Sequence, residues 1–290
     1  MSHAHAHATA VAATTATYAR TVRGQRGGPG LLLAHGGGGS VESNFGTLLD
    51  GLAARRTVVG VDYPGSGGTP RADHPLTLDE LADELVAAAD AEGLERFAVL
   101  GYSLGGHVAA RVAARHPERV TALVLTATFA RADNRLSLVT SLWSELAARG
   151  EAELLAKVLA PLALSPEVLE SLTPEQLAET VAATAASFPP GGGDQAALVP
   201  GADARPDLAS VDVPALVIAT TRDRLVPLPR QREVADSIPG ARWAELPTGH
   251  LPFAENPAAW EALISGFLAE VEAGAGAGAG GVTGAEGAER

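Results

Sequence analysis

The 290-residue chain contains no cysteine. That single absence excludes disulfides, thiolate metal sites and a cysteine nucleophile, and leaves the redox compartment open. Lysine is nearly missing too: Lys157 is the only one, while arginine is plentiful. With abundant alanine and glycine, this usage fits a high-GC coding bias and a natural-product setting. No apolar run reaches the roughly 18 residues that a membrane span needs. The N-terminus, MSHAHAHATAVAATTATYAR, has neither an early Lys/Arg cluster nor a continuous apolar core, so no export signal is expected. A cytoplasmic protein with no membrane partner is the default expectation. The net charge of −13 is a poor fit to nucleic acid, whose binding relies on basic side chains neutralising phosphates. Small molecules remain as partners, with a monomer or homodimer as the working form.

What is present divides the chain into tails and a body. Residues 1–17 are rich in Ala, Thr and His and carry no apolar period. From about residue 273 the chain runs in Gly/Ala repeats with little to bury, so both ends are expected to be disordered. In the body, short apolar runs alternate with helical spacings. Strands are expected at Leu31–Ala34, Thr57–Val61, Phe97–Leu100, Val120–Thr126, Ala215–Ala219 and Ala241–Glu245. Helices are expected at Leu78–Glu92, Gly105–His116, Arg230–Ile238 and Pro257–Glu272. Such alternation implies a mostly parallel sheet covered on both faces. The pattern breaks over residues 131–207, where helical spacing continues with no strand signal. That stretch is expected to be a helical lid inserted into a core made of 18–130 and 208–272.

Gly101-Tyr102-Ser103-Leu104-Gly105 matches G-x-S-x-G, with an apolar strand before it and an amphipathic helix after. The glycines allow a tight strand-to-helix turn, and the helix N-terminus beneath the serine favours a developing oxyanion. The competing reading is an ordinary Gly-rich turn. His35-Gly36-Gly37-Gly38-Gly39 follows the first strong strand. Successive glycines let backbone N–H groups approach a carbonyl oxygen, and Gly37 with Leu104 would form the oxyanion hole. A phosphate-binding role is disfavoured because no Gly-Lys-Ser/Thr follows. His35 itself is expected to organise this loop. Of eight histidines, His250 is the candidate base, in a loop between a strand signal and the last helix. Asp223 follows a late strand and precedes His250, which suits a Ser…Asp…His order. It is flanked by Arg222 and Arg224, which either support the acid or face solvent. Asp133 is the rival acid.

Taken together, HGGGG, Asp62-Tyr63-Pro64-Gly65-Ser66-Gly67-Gly68, GYSLGG, RDRLVP and GHLPFAENP resemble the α/β-hydrolase fold superfamily. The branch is similar to small-molecule esterases, enol-lactonases, C–C bond hydrolases and cofactor-free haloperoxidases. The resemblance implies a mostly parallel eight-stranded sheet, one antiparallel pair near its start, and a helical cap after the sixth strand. It implies neither cofactor nor metal. Serine at the elbow, rather than aspartate, argues against haloalkane dehalogenases and epoxide hydrolases. HGGGG resembles lipases, but the remaining segments look more like the lactonase-type branch. The expected chemistry is attack by Ser103 on an ester, lactone or thioester carbonyl of a small apolar molecule, through an acyl-enzyme. Tyr102, Phe129 and Trp143 are candidate pocket residues. Two alternatives stand beside it: the same triad eliminating an acyl group such as acetate, or cleaving a C–C bond, in a polyketide-type pathway; and a non-catalytic receptor on a hydrolase scaffold. Product analysis separates the first, and covalent labelling of Ser103 the second.

Overall fold

A computed structural model describes residues 18–279, with side chains to residue 274. Seven strands among the described residues form one sheet: β1 (Arg20–Arg23), β2 (Gly30–Ala34), β3 (Thr57–Val61), β4 (Phe97–Tyr102), β5 (Val120–Thr126), β6 (Ala215–Thr220) and β7 (Arg242–Leu246). Their order is β1-β3-β2-β4-β5-β6-β7. Only β1 runs antiparallel, paired along β3 from Arg20↔Val61 to Arg23↔Val58. The expected eight-stranded sheet is thus corrected to seven strands here. Any strand ahead of β1 would fall within residues 1–17, which lie outside the described residues.

The strands read as they do because of where they lie. β2, β3 and β4 are buried along their whole length and are almost wholly apolar, as strands covered on both faces must be. The edge strands β1 and β7 carry exposed Arg20, Arg23, Arg242 and Glu245 instead, charges that blunt an open sheet edge. Alternation within β2 shows the two-sided burial. Leu32 and Ala34 join one apolar cluster, whereas Leu31 and Leu33 join the other. The first cluster is completed by α3 (Leu78–Ala91), α4 (Leu104–Arg115) and α11 (Leu228–Asp236). The second is completed by α1 (Val41–Phe45), α2 (Leu49–Ala53) and α13 (Pro257–Ala279). Each fully buried leucine or phenylalanine contributes about 2 kcal/mol. Two such clusters account for a core that needs no disulfide.

The helical insertion contains α5 (Asn134–Ala148), α6 (Ala152–Ala163), α7 (Pro166–Ser171), α8 (Pro174–Ser187), α9 (Gly192–Leu198) and α10 (Arg205–Ala209). It follows the fifth of the seven described strands, where the resemblance implied a sixth. Its entry and exit are tied together: Ala204 N–H donates to Ala130 O at 2.8 Å, and Arg131 bridges Asp203. The closing helices are α12 (Pro252–Glu255) and α13. The last helix was expected to stop at Glu272 and instead continues to Ala279. Alanine's helix propensity offsets the interspersed glycines there. Of the expected tails, 1–17 lies outside the described residues, as does the part of 273–290 that follows Ala279. Among the described residues, no helix is long and apolar enough to cross a membrane.

The parallel register brings the carboxyl ends of β2, β4, β5, β6 and β7 to one edge of the sheet. The segments after those ends carry His35–Gly39, Ser103, Phe129, Asp223 and His250. Parallel α/β sheets bind ligands at that edge.

Candidate active site

Ser103 is held in a backbone conformation that only a tight turn produces. It stands between β4 and α4 at φ 52°, ψ −120°. A side chain is strained there, and such strain concentrates at functional sites. Its N–H continues the sheet by donating to Thr126 O at 2.9 Å, and Thr128 Oγ1 donates to Ser103 O at 2.8 Å. Glycine is required on both sides. A Cβ on Gly101 would stand 2.5 Å from Gly105 O, and one on Gly105 would meet the backbone of Ala34 and, at 2.6 Å, His35 O.

His250 Nε2 lies 3.0 Å from Ser103 Oγ, and its Nδ1 lies 2.7 Å from Asp223 Oδ2. The three side chains form one hydrogen-bonded line. Asp223 also accepts from Leu225 N–H and Val226 N–H at 2.8 Å each, and from Thr220 Oγ1 at 3.0 Å. A carboxylate that accepts from four donors leaves the imidazole its Nδ1–H tautomer, so Nε2 faces the serine as an acceptor. The flanking arginines do not support the acid. Arg222 is exposed and pairs with Glu167 at 3.1 Å, and the Arg224 side chain is exposed. Asp133 is far from this role: it caps α5 by accepting from Leu136 N–H at 2.8 Å.

The loop that carries the base is fixed by its backbone. His250 N–H donates to Ala163 O at 2.6 Å, and Tyr102 Oη donates to His250 O at 2.8 Å. Glu255 accepts from Gly249 N–H at 3.0 Å and from Ser165 N–H at 2.9 Å. The acid loop is held by buried Gln231. That side chain donates to Val226 O at 2.7 Å and accepts from Thr220 N–H at 2.9 Å. Gln231 belonged to none of the quoted segments, and Glu255 lies within GHLPFAENP, a segment read for His250 and not for its carboxylate.

Gly37 and Leu104 are brought together: a Cβ on Gly37 would lie 3.5 Å from Leu104 Cδ2. Among the described residues neither the Gly37 N–H nor the Leu104 N–H has a hydrogen-bond acceptor. The neighbouring amides are taken, since Gly36 N–H donates to Asn44 Oδ1 at 2.9 Å and Gly38 N–H to Gln195 Oε1 at 2.8 Å. His35 anchors the start of the loop. Its Nδ1 donates to Gly36 O at 2.8 Å, its Nε2 accepts from Tyr63 N–H at 2.9 Å, and its ring stacks on Tyr63.

Burial lowers the pKa of His35 to about 4, and burial likewise lowers His107 to about 4. Both are therefore neutral in the fold, while an unfolded histidine takes up its proton near pH 6.5. The stability that each neutral ring contributes is complete above pH 6.5 and is lost as the pH falls toward 4. By pH 5 the loss is about 2 kcal/mol per ring. Urea unfolding at pH 7 and pH 5 should show it, and His107→Leu should shrink the difference by about that amount. An unfolding free energy equal at both pH values would contradict the neutral burial of these rings.

A cavity of about 290 Å³ opens above Ser103 and His250. Tyr102, Phe129 and Trp143 line it, as do Leu136, Leu159, Phe188 and Val226. No Asp, Glu, Lys or Arg is among its lining residues. Trp143 comes from α5 and lies against Gly38, so the insertion forms one wall of the site. The lining is mostly apolar, with Ser103 and His250 at its floor and the uncharged polar side chains Ser43, Asn44, Thr140, Thr184 and Ser187 elsewhere on its walls.

A family model described as alpha/beta hydrolase fold matches residues 29–257. The chain is 33% identical over 243 residues to a pyrrolizixenacetamide deacetylase of Xenorhabdus hominickii, covering 83% of this chain and 91% of that protein. It is 31% identical over 259 residues to a pimeloyl-[acyl-carrier protein] methyl ester esterase of Neisseria meningitidis, covering 82% of this chain and 93% of that protein. The crystal structure of an enol-lactonase from Burkholderia xenovorans LB400 superposes with a TM-score of 0.76 at 25% identity, covering 87% of this chain and 96% of that one.

Proposed function

This chain belongs to the alpha/beta-hydrolase fold family, and on that footing we propose that it is a serine hydrolase acting on the carbonyl of an ester, lactone or thioester of a small, uncharged, apolar molecule. Ser103 is the nucleophile, His250 the general base and acid, and Asp223 the group that orients the imidazole. The reading rests above all on one observation: His250 Nε2 stands 3.0 Å from Ser103 Oγ at the floor of a mostly apolar cavity.

In the first half-reaction Ser103 Oγ attacks the carbonyl carbon, and its proton passes to His250 Nε2. The C=O becomes a C–O⁻ that accepts from the Gly37 and Leu104 N–H groups. Collapse breaks the bond to the leaving oxygen or sulfur, which takes the proton from His250. Water then attacks the acyl-Ser103 ester, with His250 as base, and releases a carboxylic acid and the free enzyme. Loss of one oxyanion donor typically costs about 3 kcal/mol of barrier, so two convergent N–H groups are a substantial part of the catalysis. The absence of charged lining residues supports an uncharged substrate, because an unpaired charge in a mostly apolar site carries a penalty of several kcal/mol. The relatives act on an acetamide and a methyl ester by name, and a lactonase shares the fold. Acyl-carbonyl hydrolysis is common to those names.

A fluorophosphonate probe tests the nucleophile. Labelling should occur in the folded protein, map to Ser103 by peptide mass spectrometry, and stop a panel of neutral aryl esters from turning over. Absence of label in folded protein would favour a binding protein on a hydrolase scaffold.

A further inference from the structure

We infer that Gln195, a residue of the helical insertion, is a positioning residue that sets the oxyanion loop. The inference rests on the reading of Gly37 N–H as an oxyanion donor. Gln195 lies on α9 and is fully buried. Its Oε1 accepts from Gly38 N–H at 2.8 Å, and its Nε2 donates to Pro64 O at 3.1 Å and to Ser66 Oγ at 2.8 Å. Both Nε2 protons are used, and Oε1 has a backbone donor. A flipped amide would set NH2 against the Gly38 N–H, so this orientation is the only one the site accepts.

The loop needs such an anchor. Gly36 to Gly39 are four consecutive glycines with no side chains to hold them, and glycine loses more conformational freedom on ordering than any other residue. Gly38 sits at φ 73°, a conformation glycine adopts at no steric cost. Gly39 N–H closes the turn on Gly36 O at 3.2 Å, and the Gly38 N–H bond to Gln195 sets the peptide plane inside that turn. On one side Asn44 holds the Gly36 N–H; on the other Gln195 holds the Gly38 N–H. Two pinned amides flank Gly37, which lines the cavity beside Leu104 and whose N–H has no acceptor among the described residues. Asn44 comes from α1, at the start of the core. Gln195 lies 157 positions beyond Gly38. The same amide reaches the turn after β3 through Pro64 and Ser66, so it locks two loops to the insertion. The insertion is therefore part of the catalytic apparatus at α9, rather than only a cover, and displacing α9 would release the oxyanion loop.

Positioning of this kind acts on the transition state and not on the bound ester, because only the oxyanion reaches the Gly37 N–H at full strength. Gln195→Met keeps the approximate volume and removes all three hydrogen bonds. In the full chain it should lower kcat on a neutral aryl ester about 30-fold, a part of the 10²–10³-fold seen when an oxyanion donor is deleted outright. KM should stay within about threefold. An aryl trifluoromethyl ketone, whose adduct with Ser103 places an oxyanion in the hole, should lose affinity by the same factor as kcat. A role in folding alone would not make the two losses equal. Ser66→Ala removes one anchor of the Gln195 amide and should give a smaller drop in kcat, about threefold, with the ketone following it.

Gln195→Met with kcat and ketone affinity within about threefold of wild type overturns the inference. A fall in kcat without a matching loss of ketone affinity overturns it as well. If circular dichroism shows that Gln195→Met does not fold, Ser66→Ala decides: wild-type kcat and ketone affinity there overturn it. A wild-type chain that neither turns over aryl esters nor binds the ketone brings down the parent assignment of Ser103, and this inference with it.

Discussion

Ser103→Ala should lose at least about 10⁴-fold in turnover on any ester that the wild-type protein hydrolyses. The hydroxyl is the atom that forms the acyl bond, and Ser103 Oγ has His250 as its side-chain partner. No other nucleophile is placed to replace it: Tyr102 Oη, the nearest hydroxyl in sequence, is already donated to His250 O. Burial also raises the Tyr102 pKa well above its ordinary value, so it stays protonated. Folding should survive, because removing one half-buried hydroxyl leaves the turn and the bonds of the Ser103 N–H and C=O in place. A companion change adds a stability test. At φ 52°, ψ −120° a Cβ is strained, and such positions carry about 1–3 kcal/mol. Ser103→Gly releases that strain and loses about 1 kcal/mol to added chain entropy in the unfolded state. It should therefore unfold at a urea concentration equal to or above that of Ser103→Ala, while being equally inactive. Turnover retained by Ser103→Ala would end the covalent mechanism. Ser103→Gly distinctly less stable than Ser103→Ala would remove the argument for a strained elbow.

Asp223→Asn should be nearly as damaging, by about 10⁴-fold in kcat, with the fold intact. The hydrogen-bond directions around the carboxylate explain why. Leu225 and Val226 present two N–H donors to Oδ1, so the asparagine carbonyl must take that side. The NH2 is then forced toward His250 Nδ1. Imidazole meets it as an acceptor, so its proton moves to Nε2, the atom that must accept from Ser103. A base in the wrong tautomer cannot start the reaction. Asp223→Ala differs in kind: it leaves the buried Leu225 and Val226 N–H groups without partners, and each unpaired group costs about 1–3 kcal/mol. Urea unfolding should separate the two variants by about 3 kcal/mol, whereas their activities should be similarly low. Asp133→Ala is the matching control. It removes a helix cap and about 1 kcal/mol of stability, with kcat unchanged. If Asp133→Ala abolished turnover and Asp223→Asn did not, the two acids would have to exchange roles.

Both results depend on residues 27 to 147 positions apart, which bears on how much could be read from the sequence. The strand and helix pattern was legible because each central strand is apolar on both sides and each flanking helix is apolar on one. Phe97–Leu100, expected from composition, lies within β4, and Val120–Thr126 is β5. GYSLG was legible for a different reason. A turn that tight tolerates no Cβ at Gly101 or Gly105, so its chemistry is written in adjacent letters. The end of the last helix was not legible, because Gly/Ala repetition carries no apolar period, yet α13 supplies a template that the repeat extends to Ala279.

Local patterns by themselves determined the layered α/β architecture, the elbow at Ser103 and the short list of partners for it. They could do so because backbone sterics and hydrophobic periodicity act between near neighbours. That Asp223 and not Asp133 lies beside His250, that Gly37 lies near Leu104, and that Gln195 takes the Gly38 N–H are placements only the tertiary structure supplies. Hydrogen bonds of about 3 Å are satisfied across space, and nothing in the spacing of letters records which distant side chain will face a given amide.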